Sequence, residues 1–253
     1  MTAPTTPEAE AARWIAESAA VTVLTGAGVS TDSGIPDFRG PQGVWTKNPA
    51  AQLMFTIDNY VADAEVRRRA WQARLTSPVW SAEPNEAHRA LVDLERDGRL
   101  RAIVTQNVDG LHQAAGSHPE RVIEVHGTAR WVECLACERR SPMDEILPRI
   151  EAGEEDPSCM DCGGILKSAT ISFGQALRPE VLREAAEASV ECDVFVAVGT
   201  SLSVYPAAGL CDVALEAGAK LVIVNAEPTP YDAVAHAVVR EPIGEVLPRL
   251  LTA

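Results

Sequence analysis

Three groups of residues in this chain carry chemistry by type and spacing. Cys134-Leu-Ala-Cys137 and Cys159-Met-Asp-Cys162 are two Cys-x-x-Cys pairs separated by 21 residues. Four thiolates in that arrangement complete a tetrahedral zinc site of ribbon type. Such a site has no open position, so its metal is structural, and a zinc-dependent hydrolase is disfavoured. The second group is Thr25-Gly-Ala-Gly-Val-Ser-Thr-Asp-Ser-Gly-Ile-Pro-Asp-Phe-Arg-Gly40, which follows the apolar run Val21–Leu24. Gly26 and Gly28 let the backbone turn sharply and approach a ligand, and amides freed at such a turn cradle phosphate. The third is His126-Gly127 at the end of an apolar run. Imidazole titrates near neutrality and suits general-base work, although a lone histidine is more often structural.

These groups need elements to hold them. Strands are expected at 21–24, 101–105, 122–125, 194–198 and 221–225, with helices at 86–97, 178–188 and 205–217 between them. A first helix should begin at Thr6-Pro7, a cap followed by proline. Short apolar strands alternating with helices predict an α/β fold: a doubly wound parallel sheet covered on both faces. Ligands of such sheets gather at the C-terminal strand ends. There this chain places Gly26–Gly28, Gln106-Asn107-Val108-Asp109, His126, Gly199-Thr200-Ser201 and Asn225-Ala-Glu227. Residues 128–170 break the rhythm and form an inserted zinc-ribbon module. Residues 41–84 form a second, helical insertion, so 1–253 reads as one domain carrying both.

With 253 residues the chain can bury a sizeable core. A formal net charge of −14 argues against nucleic-acid binding. No apolar run approaches the roughly 20 residues of a membrane span. The acidic N-terminus lacks the features of a secretion signal, so a cytoplasmic location is expected; a monomer is expected as well. In that compartment the cysteines are not disulfides. Cys192 and Cys211 stand apart in apolar surroundings and read as buried thiols.

The 25–40 segment resembles the cofactor loop of the sirtuins (Sir2-like, bacterial type), which are NAD-dependent protein lysine deacylases. The resemblance runs in order from Val21 to Leu247. It implies a Rossmann-like NAD-binding domain, one structural zinc ion, and release of nicotinamide as the acyl group passes from lysine to ADP-ribose. His126 would be the base that deprotonates a ribose hydroxyl, with Asn107 and Asp109 beside the nicotinamide ribose. Ile35 and Val108 would wall the nicotinamide pocket, next to Gln106. Phe38 would shield the reactive centre, while Asp37 and Arg39 order the loop that Gly26, Ala27, Gly28 and Ser30 begin. Gly199, Thr200 and Ser201 would support the phosphates, Asn225 and Glu227 the adenosine ribose, and Ile243 the adenine. A ribose-binding carboxylate favours NAD over its 2′-phosphorylated relative.

The chain also departs from the family pattern. Ser168-Ala-Thr-Ile-Ser-Phe-Gly-Gln175 stands where the family often has Pro-x-Val-x-Phe-Gly-Glu. Phe173 and Gly174 persist there, in the segment expected to pair with an extended acyl-lysine peptide. Trp71-Gln-Ala-Arg74 stands where succinyl- and malonyl-preferring members carry Tyr-x-x-Arg. Arg74 could pair with an acyl carboxylate; the competing reading is a solvated helix face in an arginine-rich run. Acetyl or another neutral acyl group is the expectation. Desuccinylase or demalonylase activity, mono-ADP-ribosyl transfer and non-enzymatic NAD or ADP-ribose sensing are the alternatives.

Overall fold

The computed structural model describes residues 6–38, 40, 43–47 and 56–252. Helix α1 (Pro7–Glu17) starts where the sequence places it: Thr6 Oγ1 accepts the Ala9 N–H at 3.2 Å. β1 (Val21–Thr25) follows, then a 3₁₀ turn (Ala27–Ser33). Among the described residues three helices come next, α2 (Val44–Lys47), α3 (Ile57–Ala62) and α4 (Ala64–Leu75). α5 (Glu86–Arg96) leads into β2 (Leu100–Thr105), and α6 (Leu111–Ala115) into β3 (Val122–Glu124). β4 (Gly127–Cys134), β5 (Arg140–Pro142), α7 (Met143–Glu151) and β6 (Leu166–Thr170) form a compact stretch with its own sheet, in the order β5-β4-β6. The chain then returns through α8 (Pro179–Val190), β7 (Val194–Val198), α9 (Leu210–Glu216), β8 (Lys220–Val224), β9 (Ala237–Val239) and α10 (Ile243–Leu251).

The main sheet runs β3-β2-β1-β7-β8-β9, and every pairing in it is parallel. This is the strand order of a doubly wound dinucleotide-binding sheet, with its switch point between β1 and β7. Strand side chains alternate between faces, so each face meets its own helices. Val21, Val23, Val194 and Val196 pack with Ile15 of α1, Leu91 of α5 and Leu250 of α10. Leu24, Phe195, Ala197 and Ile223 pack with Ala185 of α8 and Ala214 of α9. Cys192 and Cys211 are buried in that second face, as their apolar surroundings predicted.

A third apolar cluster lies apart from the sheet. Trp71 of α4 meets Val132 and Cys134 of β4, Met143, Ile146 and Ile150 of α7, and Leu166 of β6. The helical stretch after β1 and the cysteine-bearing stretch after β3 therefore share one core. The predicted helix over 205–217 is shorter than expected. A 3₁₀ turn (Ala207–Gly209) precedes α9, because Pro206 lacks an N–H and keeps its predecessor out of helical geometry.

Candidate active site

The two glycine loops at the switch point are interlocked. Gly26 N–H donates to the Val198 carbonyl at 3.0 Å, and Gly28 N–H to the Gly199 carbonyl at 2.9 Å. A Cβ on Gly26 would stand 2.6 Å from the Gly199 oxygen, and one on Gly28 2.7 Å from its Cα. Gly199 itself has φ +62°. No side chain fits at this crossing, which leaves a bare backbone cradle of the sort that a pyrophosphate occupies. Thr200 joins it: its Oγ1 accepts from Gln106 Nε2 at 2.9 Å, and Ser201 Oγ lies 2.7 Å from Ser203 Oγ.

Gln106–Asp109, after β2, closes the next side. Asn107 Nδ2 donates to the Gly26 carbonyl at 3.1 Å and to Ser30 Oγ at 3.2 Å. Ser30 Oγ in turn donates to Asp109 Oδ2 at 2.8 Å, and Leu111 N–H to Asp109 Oδ1 at 2.9 Å. Ser30, Asn107 and Asp109 are all buried, so this chain of bonds rigidly couples the loops after β1 and β2. Asn85, which the sequence did not single out, braces the same turn by donating to the Val29 carbonyl at 2.8 Å and to Ser33 Oγ at 3.0 Å.

His126 follows β3. Its Nδ1 stands 3.1 Å from the Gln106 carbonyl. A carbonyl only accepts, so Nδ1 carries the hydrogen and Nε2 the lone pair. Burial holds the ring's pKa below its ordinary value, outweighing the opposite pull of the Gln106 carbonyl. His126 is therefore a neutral base at pH 7, with the tautomer set by the loop beside it. The segment that follows grips the same loop: Ala129 N–H donates to the Val108 carbonyl at 2.8 Å and Arg130 Nε to the Asp109 carbonyl at 2.9 Å.

The remaining predicted residues are more dispersed. Ile35 N–H donates to the Ser30 carbonyl at 3.3 Å, and Asp37 Oδ1 accepts from Gly40 N–H at 2.9 Å. Phe38 is exposed, and Arg39 lies outside the described residues. At the other side of the sheet, Asn225 Nδ2 donates to the Glu227 carbonyl at 2.8 Å, and Arg240 ties both carbonyls. Ile243 opens α10, where a Cβ on Gly244 would stand 2.6 Å from Asp32 Oδ2 of the first glycine turn. β6 stops at Thr170, so Phe173 and Gly174 lie beyond the strand; the Phe173 carbonyl accepts from Ile57 N–H at 3.0 Å.

Arg74 is not on a solvated face. Its guanidinium lies 4.9 Å from the Trp71 ring centroid and 5.6 Å from that of Tyr60, with Nη1 buried and unpartnered among the described residues. Burial lowers its pKa from the ordinary arginine value.

The four cysteines converge. Their sulfurs all lie within 4.8 Å of one another, with Cys134–Cys162 at 3.5 Å and Cys137–Cys159 at 3.7 Å. A tetrahedron with Zn–S of about 2.3 Å has S–S edges of about 3.8 Å, so the set fits one zinc ion with no position left over.

Beneath the β1 and β2 ends lies a buried histidine pair. His112 Nε2 is 2.9 Å from Thr25 Oγ1, and Thr25 Oγ1 donates to Thr105 Oγ1 at 2.8 Å. His88 closes the α5 capping box, and the two rings are 5.0 Å apart. Burial pushes His112 down to about 3 and His88 to about 4. Unfolded, both titrate near the ordinary 6.5, so below that pH the unfolded chain binds protons that the folded one refuses. Their contribution is full above about pH 6.5 and lost as pH falls towards 4, by about 1.4 kcal/mol per pH unit per histidine. Urea midpoints between pH 7 and 5 should fall steeply in the parent and less in His112→Asn. Equal slopes in the two proteins would contradict this.

The fold and this edge together define a dinucleotide-type α/β protein with a four-thiolate metal module. The Sir2 family model matches residues 26–206. This chain belongs to the Sir2 family. It is 60% identical over 231 residues to NAD-dependent protein deacetylase 2 of Streptomyces coelicolor, covering 91% of this chain and 96% of the relative. It is 43% identical to NAD-dependent protein deacetylase 1 of Bradyrhizobium diazoefficiens, over 92% and 91% of the two chains. A solved Sir2 histidine-to-alanine mutant with deacetylated p53 peptide and 3′-O-acetyl ADP-ribose superposes with a TM-score of 0.88 at 37% identity, over 96% of each chain. Sir2 bound to acetylated peptide gives 0.84 at 34% identity, over 96% of each chain.

Proposed function

We propose that this chain is an NAD-dependent protein lysine deacetylase that passes the acetyl group to ADP-ribose and releases nicotinamide. The observation that carries this is His126, a neutral imidazole whose Nδ1 is committed to the Gln106 carbonyl. A nucleotide sensor has no use for such a base. NAD, when bound, supplies the activated glycosidic bond. Gly26, Ala27, Gly28, Gly199, Thr200 and Ser201 hold its phosphates, while Asn225, Glu227 and Ile243 contact the adenosine end. Ser30, Ile35, Gln106, Asn107, Val108 and Asp109 enclose the nicotinamide end. Asp37, Phe38 and Arg39 form the loop that excludes water. His126 Nε2 would take the proton of a ribose hydroxyl; the Gln106 carbonyl places the ring hydrogen on Nδ1, and burial keeps the ring neutral beforehand.

The α3–α4 stretch and the 128–170 stretch act together as a small lobe around their shared core, held by one zinc ion on Cys134, Cys137, Cys159 and Cys162. Acyl-lysine peptides lie between this lobe and the sheet, against Phe173 and Gly174. The working form is a cytoplasmic monomer without nucleic-acid or membrane partners. Among the described residues no helix is long and apolar enough to cross a membrane.

The acyl group is acetyl or another neutral chain. Arg74 lies over the Tyr60 and Trp71 rings, and tryptophan stands at position 71 where the motif has its tyrosine. Adenine-labelled NAD with acetyl- and succinyl-lysine peptides tests both points. Label should leave as a small acetylated nucleotide, faster with acetyl than with succinyl. Label retained on protein would replace deacetylation by ADP-ribosyl transfer, and faster succinyl turnover would restore Arg74 as a carboxylate ligand.

A further inference from the structure

We propose that Arg130 is a positioning residue: it fixes the Gln106–Asp109 loop and thereby sets affinity for the nicotinamide end of NAD. The proposal rests on the site assignment above. No motif marks Arg130, a single arginine on β4. Three contacts give it a role. Its Nε donates to the Asp109 carbonyl at 2.9 Å, and its Nη2 to the Val79 carbonyl at 3.3 Å. Its guanidinium carbon lies 5.4 Å from the centroid of Trp80, whose Nε1 donates to the Arg74 carbonyl.

One planar cation thus ties together the loop after β2, the turn after α4 and the strand that leads to the cysteines. Its Nε and Nη2 donors both go to main-chain carbonyls. The loop needs such a tether. Gly110 has φ +76°, a conformation glycine enters and leaves freely, so the peptide joining Asp109 to α6 is a soft point. That point passes directly under the guanidinium, where a Cβ on Gly110 would lie 3.2 Å from Arg130 Nε.

The tether also completes a series. The carbonyls of Gln106, Val108 and Asp109 are held in turn by His126 Nδ1, Ala129 N–H and Arg130 Nε. The first rung sets the tautomer of the base, and the third holds the main chain of Asp109. The Asp109 carboxylate is separately held by Ser30 and Leu111. Losing Arg130 therefore frees the loop backbone without unpairing a buried carboxylate.

NAD and ADP-ribose differ in the nicotinamide ring, so comparing them isolates this effect. Calorimetry on zinc-loaded protein should show Arg130→Ala binding NAD about tenfold more weakly, the size expected for a lost charged hydrogen bond. ADP-ribose, which keeps the ribose but lacks the ring, should lose clearly less affinity, KM for NAD should rise with the dissociation constant, and kcat at saturating NAD should stay near the parent value. Arg130→Lys, which keeps the charge but not the planar fork, should fall between and gives the same comparison if the alanine variant does not fold. Equal losses for NAD and ADP-ribose, or a loss of kcat alone, would overturn the proposal. Parent protein that binds NAD but never releases nicotinamide with acetyl peptide would instead sink the deacetylase reading, visibly separate from the Arg130 comparison.

Discussion

Replacing His126 with alanine should cost about a thousandfold in turnover of an acetyl-lysine peptide, within the range general-base losses show. NAD affinity should stay close to the parent's, because the proposed phosphate cradle uses Gly26, Gly28, Gly199 and Thr200, and the hydrogen bonds of these residues go elsewhere than to the ring. The pH profile provides a second readout. Burial holds His126 below the ordinary histidine value of about 6.5, so the neutral, competent form persists to lower pH than for a free imidazole. The acid limb of kcat/KM should therefore inflect below about pH 6.5, with no loss from this group as pH rises towards 8. Near-normal turnover in the alanine variant, or an acid limb above pH 7, would remove His126 from the role.

The second large effect concerns the metal. Cys134 and Cys159 are buried within the third apolar cluster, beside Trp71, Met143 and Leu166. A site of this kind contributes on the order of 10 kcal/mol to folding, more than a core of that size supplies alone. Stripping zinc, or replacing Cys134 with serine, should unfold the β4–β6 stretch and loosen α4, which packs on it. Activity should vanish while the main sheet retains its helices. The check is one equivalent of zinc per chain by elemental analysis, followed by hydrogen exchange on stripped protein. Deprotection should be confined to residues of the third cluster and should reverse when zinc is restored. A stripped protein with full activity and unchanged exchange would show that the four thiols hold no structural metal.

What the sequence revealed and what it hid divide by range. The glycine loop, the paired Cys-x-x-Cys knuckles and His126-Gly127 are local patterns, because their chemistry needs particular residues a few positions apart. The parallel sheet was legible from apolar runs each ending in polar or glycine-rich residues, and the six-strand order bears that out. β9 and α10 were not foreseen as elements: β9 is only Ala237–Val239, and Pro248 interrupts the helical signal of α10. Asn85 and Arg130 escaped notice for another reason. Each acts on carbonyls distant in sequence, Asn85 on Val29 and Arg130 on Val79 and Asp109, and only the fold brings those partners together. Arg74 shows the converse. Its motif was visible, but whether its guanidinium faces water or stacks on Tyr60 and Trp71 depends on how α3, α4 and β6 pack.

The most direct measurement is nicotinamide release from NAD by zinc-loaded protein, with and without an acetyl-lysine peptide, the products weighed by mass spectrometry. Release that requires the peptide, with one O-acetyl-ADP-ribose formed per lysine freed, is the predicted result. A protein that binds NAD and zinc yet releases no nicotinamide when the peptide is added would contradict the deacetylase function.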